Sequence, residues 1–169
     1  EKANAFSGKA SGFEKALIAA ISVRYVADSA DATRKNLNES YTAKMEQVHL
    51  QFPGNADAAV LYADAMMLEH PWDLWFTNGT PKPWTPRIRA TLEKILSKTP
   101  LHPGANHYYI HVMEPSPFAD RALPSAERLG ITNPGLSHLI HMPSHIFLRT
   151  GHYQKGIDVN ANAVLSYQQ

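Results

Sequence analysis

The chain of 169 residues contains no cysteine. That excludes disulfides, thiolate metal sites and cysteine nucleophiles, while leaving the redox compartment open. Charge is also scarce: charged residues make up 18% of the chain and the formal net charge is +1. Lysines and arginines are scattered rather than bunched, which argues against nucleic acid and against a polybasic membrane patch. No apolar run approaches the length of about 20 residues that a bilayer span needs. The longest is the alanine-rich stretch from Ala16 to Ala20 with its flanks. What the chain does have is 44% apolar residues, enough to bury a core.

Histidine is where the pattern lies. His107-Tyr-Tyr-Ile-His111 and His141-Met-Pro-Ser-His145 are both H-x-x-x-H, and each histidine of the first recurs 34 positions later in the second. Spacing of i, i+4 places two imidazoles on one helical face, one turn apart. A period of 34 residues is that of a tetratricopeptide repeat (TPR), a helix–turn–helix unit that stacks on copies of itself. Pro100 and Pro134 share the same spacing, so two independent markers keep one register.

Pro53-Gly54-Asn55, Pro100 to Gly104 and Asn133-Pro134-Gly135 each precede an apolar-periodic stretch and punctuate the helices. The pattern predicts four helix pairs, over about 12–51, 56–98, 104–129 and 136–167, in one TPR-like domain spanning 1–169. Ser29 or Asp31 is a plausible N-cap within the first pair, and Thr85 can cap ahead of Pro86 in the second. Pro124 and Pro143 predict late starts or kinks, since proline cannot donate to the preceding turn. Gly151 suits the tight turn of the last pair, with Tyr153 packing behind it. The second pair is long by 13 residues, the surplus falling in 70–85, which holds Trp72, Trp75, Trp84 and several prolines. Such a segment is expected to be ordered, plugging a hydrophobic seam or walling a ligand pocket. The fold class expected is all-α, a right-handed solenoid of about four such repeats with this insertion.

From about Asn36 onward the chain resembles a family of exported bacterial tetratricopeptide-repeat proteins. The resemblance rests on Pro71-Trp-Asp-Leu-Trp75, Pro81-Lys-Pro-Trp84, His102-Pro-Gly-Ala-Asn-His-Tyr-Tyr-Ile-His111, Arg121-Ala-Leu-Pro-Ser-Ala126 and His138-Leu-Ile-His-Met-Pro-Ser-His-Ile-Phe147. It implies a helical solenoid and export to the periplasm or beyond, and supplies no activity. A chain that begins at Glu1 and ends on an unbroken helical pattern is expected to be part of a longer protein, with a signal peptide upstream.

First helices of successive TPR units line a concave surface, so His107, His111, His141 and His145 are expected to look into one groove. Glu114 extends the first motif on the same face, and these five are the candidate metal ligands. Asp64 occupies the position in register with His111 one unit earlier. With Trp72, Trp75, Trp84, Tyr108 and His138 it forms the candidate lining of the groove. Nitrogen-rich ligation with a carboxylate suits Zn²⁺ or Cu²⁺. The competing readings are a hydrogen-bonded polar seam between units, or direct capture of an anion or peptide.

The expected function is a binding or scaffold module that holds a protein segment, peptide or small ligand in that groove. The alternative is a metal-dependent, hydrolase-like enzyme with Glu114 as base. Catalytic residues cannot be written down: the H-E-x-x-H pattern is absent from both motifs, and no G-x-S-x-G elbow is present.

Overall fold

In the computed structural model, residues 2–25, 33–132 and 135–167 are described, and every regular element among them is helical. The chain divides into two compact units, Glu1–Trp72 and Asp73–Gln169. Among the described residues no helix is long and apolar enough to cross a membrane.

The first unit holds α1 (Lys2–Phe6), α2 (Gly12–Ser22), α3 (Arg34–Gln51) and α4 (Ala56–Glu69). Ser11 and Glu14 close a capping box at the start of α2, and the Asn55 side chain caps α4. Thr33 caps α3 by accepting from Asn36 N. The caps expected there, Ser29 and Asp31, lie outside the described residues. Alanines 58, 59, 63 and 65 of α4 are all buried, and these small side chains let α3 approach closely. Tyr41, Met45 and Val48 fill the seam. Two polar side chains of α3 bond α4 main chain: Asn38 Nδ2 donates to Leu68 O at 3.0 Å, and Thr42 Oγ1 to Ala65 O at 3.0 Å.

The second unit begins at Asp73, inside the insertion, and continues through α5 (Thr85–Lys98), α6 (Pro103–Met113), α7 (Leu123–Thr132), α8 (Ser137–His141), α9 (Pro143–Arg149) and α10 (Tyr153–Tyr167). In α5 the fully buried Ile88 and Leu92 and the nearly buried Ile95 repeat at i, i+4, i+7, the spacing of one helical face. That face packs on α6, and α6 in turn on α7. Repeat-equivalent positions are buried alike, Val112 with Ile146 and Met113 with Phe147.

Both prolines act at helix starts. Pro143 opens α9 and separates it from α8, with Met142 as the joint, and Pro124 sits in the first turn of α7 behind a short 3-10 turn, Ala119–Ala122. Gly151 takes φ +79, a region that favours glycine, in the turn to α10. The packing role expected for Tyr153 is not seen, for the residue is 63% exposed. Pro134, the second proline marker of the period, lies outside the described residues.

The insertion is ordered by its own main chain. Phe76 N donates to Thr80 O, Lys82 N donates to Leu74 O, and an antiparallel bridge joins Trp75 to Pro81. Thr85 does not cap α5; its hydroxyl donates instead to the Leu74 carbonyl, tying the loop to the helix it precedes. The Trp75 indole N–H donates to Val112 O at 2.7 Å, satisfying a carbonyl in the last turn of α6 that has no partner in the helix. Trp84 Nε1 donates to Asp73 O. Trp72 departs from the expectation that all three tryptophans are covered: it is 78% exposed, with a φ of 61. Replacing Trp75 by phenylalanine orphans the buried Val112 carbonyl. A loss of about 1–3 kcal/mol in urea unfolding is expected.

Candidate metal centre

Five histidines gather where α6 meets α8 and α9. His107 and His111 stand one turn apart on α6, His138 and His141 on α8, and His145 on α9. The Nε2 atoms of His107 and His111 are 3.1 Å apart, as are those of His107 and His138. Ligating atoms of His107, His111 and His138 all lie within 4.8 Å of one another. His107 is thus the shared vertex of a three-nitrogen set.

The remaining two make a second pair. The Nε2 atoms of His141 and His145 are 3.0 Å apart across the break at Pro143. Because α8 ends and α9 restarts between them, the i, i+4 relation survives the proline. The rings of His111 and His145 lie 6.1 Å apart between centroids, and those of His138 and His141 lie 6.4 Å apart. The two sets therefore sit side by side. The doubled motif places each H-x-x-x-H pair with its nitrogens facing inward, and His138 joins the first pair from the other helix.

Outer nitrogens of the second pair are held from behind. His145 Nδ1 lies 2.8 Å from Glu114 Oε1. The Glu114 carboxyl is held below its ordinary range, chiefly by this bond and against the effect of its burial. An ionised carboxylate only accepts, so His145 Nδ1 carries the proton and donates. His141 Nδ1 lies 2.7 Å from Asn160 Oδ1, on α10, and 3.5 Å from Ser144 Oγ. Glu114 Oε2 is buried with no hydrogen-bond partner, which leaves one lone-pair face of that carboxylate unused.

Burial and like-charge neighbours disfavour a charge on His107 and His111. Burial pulls His107 down to about 3, helped by His111, His138 and His145. Burial also lowers His111, with His145 next in weight and the Glu114 charge opposing. Neutral imidazoles with converging lone pairs are the form that ligates metal.

The other candidate residues fall as follows. Tyr108 stacks at a tilt on His107, with centroids 4.8 Å apart. Trp75 and Trp84 belong to the insertion, and Trp75 touches α6 at the turn that carries Glu114. Asp64 and Trp72 belong to the first unit, where burial, with the Asp64 charge next, raises the Tyr41 hydroxyl above its ordinary value. His102 caps α6 by accepting from Ala105 N. Asn160 went unread in the sequence. Its only signal is an asparagine in mid-helix, where that residue is a weak helix former.

No family model matches the chain, and no curated protein matches it in sequence. Solved structures do match in shape. The crystal structure of MamA superposes with a TM-score of 0.63 at 10% identity, covering 98% of this chain and 84% of that one. A second, MamA MSR-1 C2, gives a TM-score of 0.55 at 13% identity, covering 91% and 88%. MamA is a TPR-containing protein, and the likeness makes this chain an all-α, TPR-like helical repeat.

Proposed function

We propose that the chain is a TPR-type binding or scaffold module whose second unit holds a transition metal at His107, His111 and His138. The observation that carries the metal is the double contact at His107 Nε2. A ring nitrogen has either one proton or one in-plane lone pair, so it makes one good hydrogen bond. His107 Nε2 faces two other Nε2 atoms at 3.1 Å each, and one of these contacts therefore gains little as a hydrogen bond. A cation among the three removes the conflict. Two nitrogens bound to one ion at 2.0–2.1 Å are about 2.9 Å apart at a right angle and about 3.4 Å apart at a tetrahedral one. The observed contacts fall in that range. A turn of the exposed His138 ring would close the third edge, whose ligating atoms already lie within 4.8 Å.

The proposal takes in His141, His145 and Glu114 as neighbours of the ion, and Zn²⁺ or Cu²⁺ as the metal that an all-imidazole set favours. The partner we propose is a protein or peptide segment bound by the repeat surface, a use supported by the TPR-like fold and by analogy only. Export from the cytoplasm, which the family resemblance implies, is part of the same proposal. Hydrolysis finds less support, since Glu114 Oε1 is engaged with His145 Nδ1 and Glu114 Oε2 is buried away from solvent.

Metal analysis of the untagged chain, after exchange into metal-free buffer and reloading with Zn²⁺, tests this. The wild type is expected to retain metal at stoichiometric level. The His107→Gln variant should lose at least tenfold in affinity, and His138→Gln should weaken binding by a smaller factor. Less than a tenth of an equivalent retained by the wild type would end the metal reading.

A further inference from the structure

We infer that His141 and His145 form a second cation position beside the first, so that the cluster takes two transition-metal ions per chain. This rests on the metal reading above and extends it to residues that the three-histidine set leaves out. Four observations lead to it, all in the second unit.

First, both outer nitrogens of the pair face acceptors. His145 Nδ1–H donates to Glu114 Oε1 at 2.8 Å, and His141 Nδ1–H donates to Asn160 Oδ1 at 2.7 Å. With Nδ1 protonated, a neutral imidazole has a bare lone pair at Nε2. Second, the two Nε2 atoms face one another across 3.0 Å, at the positions where neutral rings of that tautomer carry their lone pairs. Two acceptors at that distance repel unless something positive lies between them. The separation agrees with two nitrogens on one ion at a near right angle, about 2.9 Å. Third, the backing is of the kind that tunes metal-binding histidines. A carboxylate or amide oxygen behind the ring fixes the tautomer, aims Nε2 and raises its basicity. Fourth, the pair is the repeat-equivalent of His107 and His111, whose Nε2 atoms are 3.1 Å apart, so the same helical register presents the same bidentate face twice.

The second position has two imidazoles from the chain, and water completes its coordination. Water as a ligand makes it the weaker and more exchangeable site of the two, open to an oxygen or nitrogen donor from outside. Because the two sets flank one another at the 6.1 Å and 6.4 Å ring separations, charge at one position weakens binding at the other. Stepwise loading follows, first the three-histidine set and then the pair.

A turned Asn160 amide would reverse this. Its Nδ2–H would donate to His141 Nδ1, and His141 Nε2–H would donate to His145 Nε2, closing a neutral chain with no place for a cation. Titration of the untagged, metal-free full chain with Co²⁺, followed by visible absorption and checked by Zn²⁺ content, decides between the two. Two equivalents are expected, the second weaker by tenfold or more. His141→Gln and His145→Gln should each bind one equivalent with the first affinity preserved, whereas His152→Gln should keep two. Asn160→Asp puts a carboxylate behind His141 and should tighten the second equivalent about tenfold. That gain cannot arise from a damaged fold. One equivalent in the wild type overturns the second position and leaves the first standing, and none overturns both. Two equivalents retained by His145→Gln, or a second affinity unmoved by Asn160→Asp, also sink the assignment to this pair.

Discussion

Zn²⁺ at a thousandfold excess over its dissociation constant should stabilise the folded chain by about 4 kcal/mol, provided that the unfolded chain does not bind it. For a chain of this size that raises the unfolding temperature by about 8–16 °C. The expectation rests on how little the site has to change. His107 and His111 already sit one turn apart on α6 with their Nε2 atoms 3.1 Å apart, and Trp75 closes the last turn of that helix through Val112 O. Ligands pre-set on one helix lose little entropy when the ion arrives, and His138 alone has far to move. The shift should fall by about a third or more in His107→Gln, the change that a tenfold or greater loss of affinity makes, because His107 is the vertex common to both short contacts. His102→Gln, at the cap of α6, should keep the shift while starting from a lower unfolding temperature. Differential scanning fluorimetry with and without a chelator measures both. An equal shift in His107→Gln and wild type would place the ion elsewhere on the chain.

How far such a site can be read from the chain alone depends on which residues carry a period. His107, His111, His141 and His145 share an interval of 34, which suffices to place them on equivalent helices. Their convergence follows, since equivalent helices of stacked repeats present the same face. The division of labour among them does not follow. Residues 138 and 141 are separated by three positions on α8, while 141 and 145 straddle Pro143, so the break decides that His138 points at His107 and His141 at His145. A proline announces a kink without giving its direction. Asn160 comes from α10, and its contact depends on how two helices cross. The tryptophans show the same limit. Trp75 and Trp84 find main-chain acceptors as aromatic N–H groups generally do, whereas Trp72 stays exposed at a backbone angle that nothing in the sequence announces.

Acid should unfold the metal-free chain earlier than its composition suggests. His107 is pulled down to about 3 in the fold, against an ordinary value of 6.5. Below pH 6.5 the unfolded chain takes up a proton that the folded chain refuses, so folding loses free energy steadily as the pH falls toward 3. At pH 5 the loss from this residue comes to about 2 kcal/mol, trimmed to about 1–2 by solvent at the exposed edge of the ring. His111 is lowered for the same main reason, burial, and acts in the same direction. Glu114 adds to it over a lower window. Its carboxyl is held below 4.5 by His145, so the stability it lends is present above that value and is lost as the pH falls through its folded value. Urea midpoints of chelator-treated protein should therefore fall between pH 7 and pH 4. His107→Leu, which removes the reluctant base and keeps an apolar body in its place, should flatten the upper part of that slope. Bound metal steepens the slope, since every imidazole it holds is barred from protonation in the fold while the same histidine takes up a proton in the unfolded chain. The loaded wild type should accordingly start from a higher midpoint at pH 7 and lose its advantage over the metal-free chain as the pH falls. A metal-free wild type as flat as His107→Leu between pH 7 and pH 5 would mean that the folded cluster accepts protons freely, and that its nitrogens face water rather than one another.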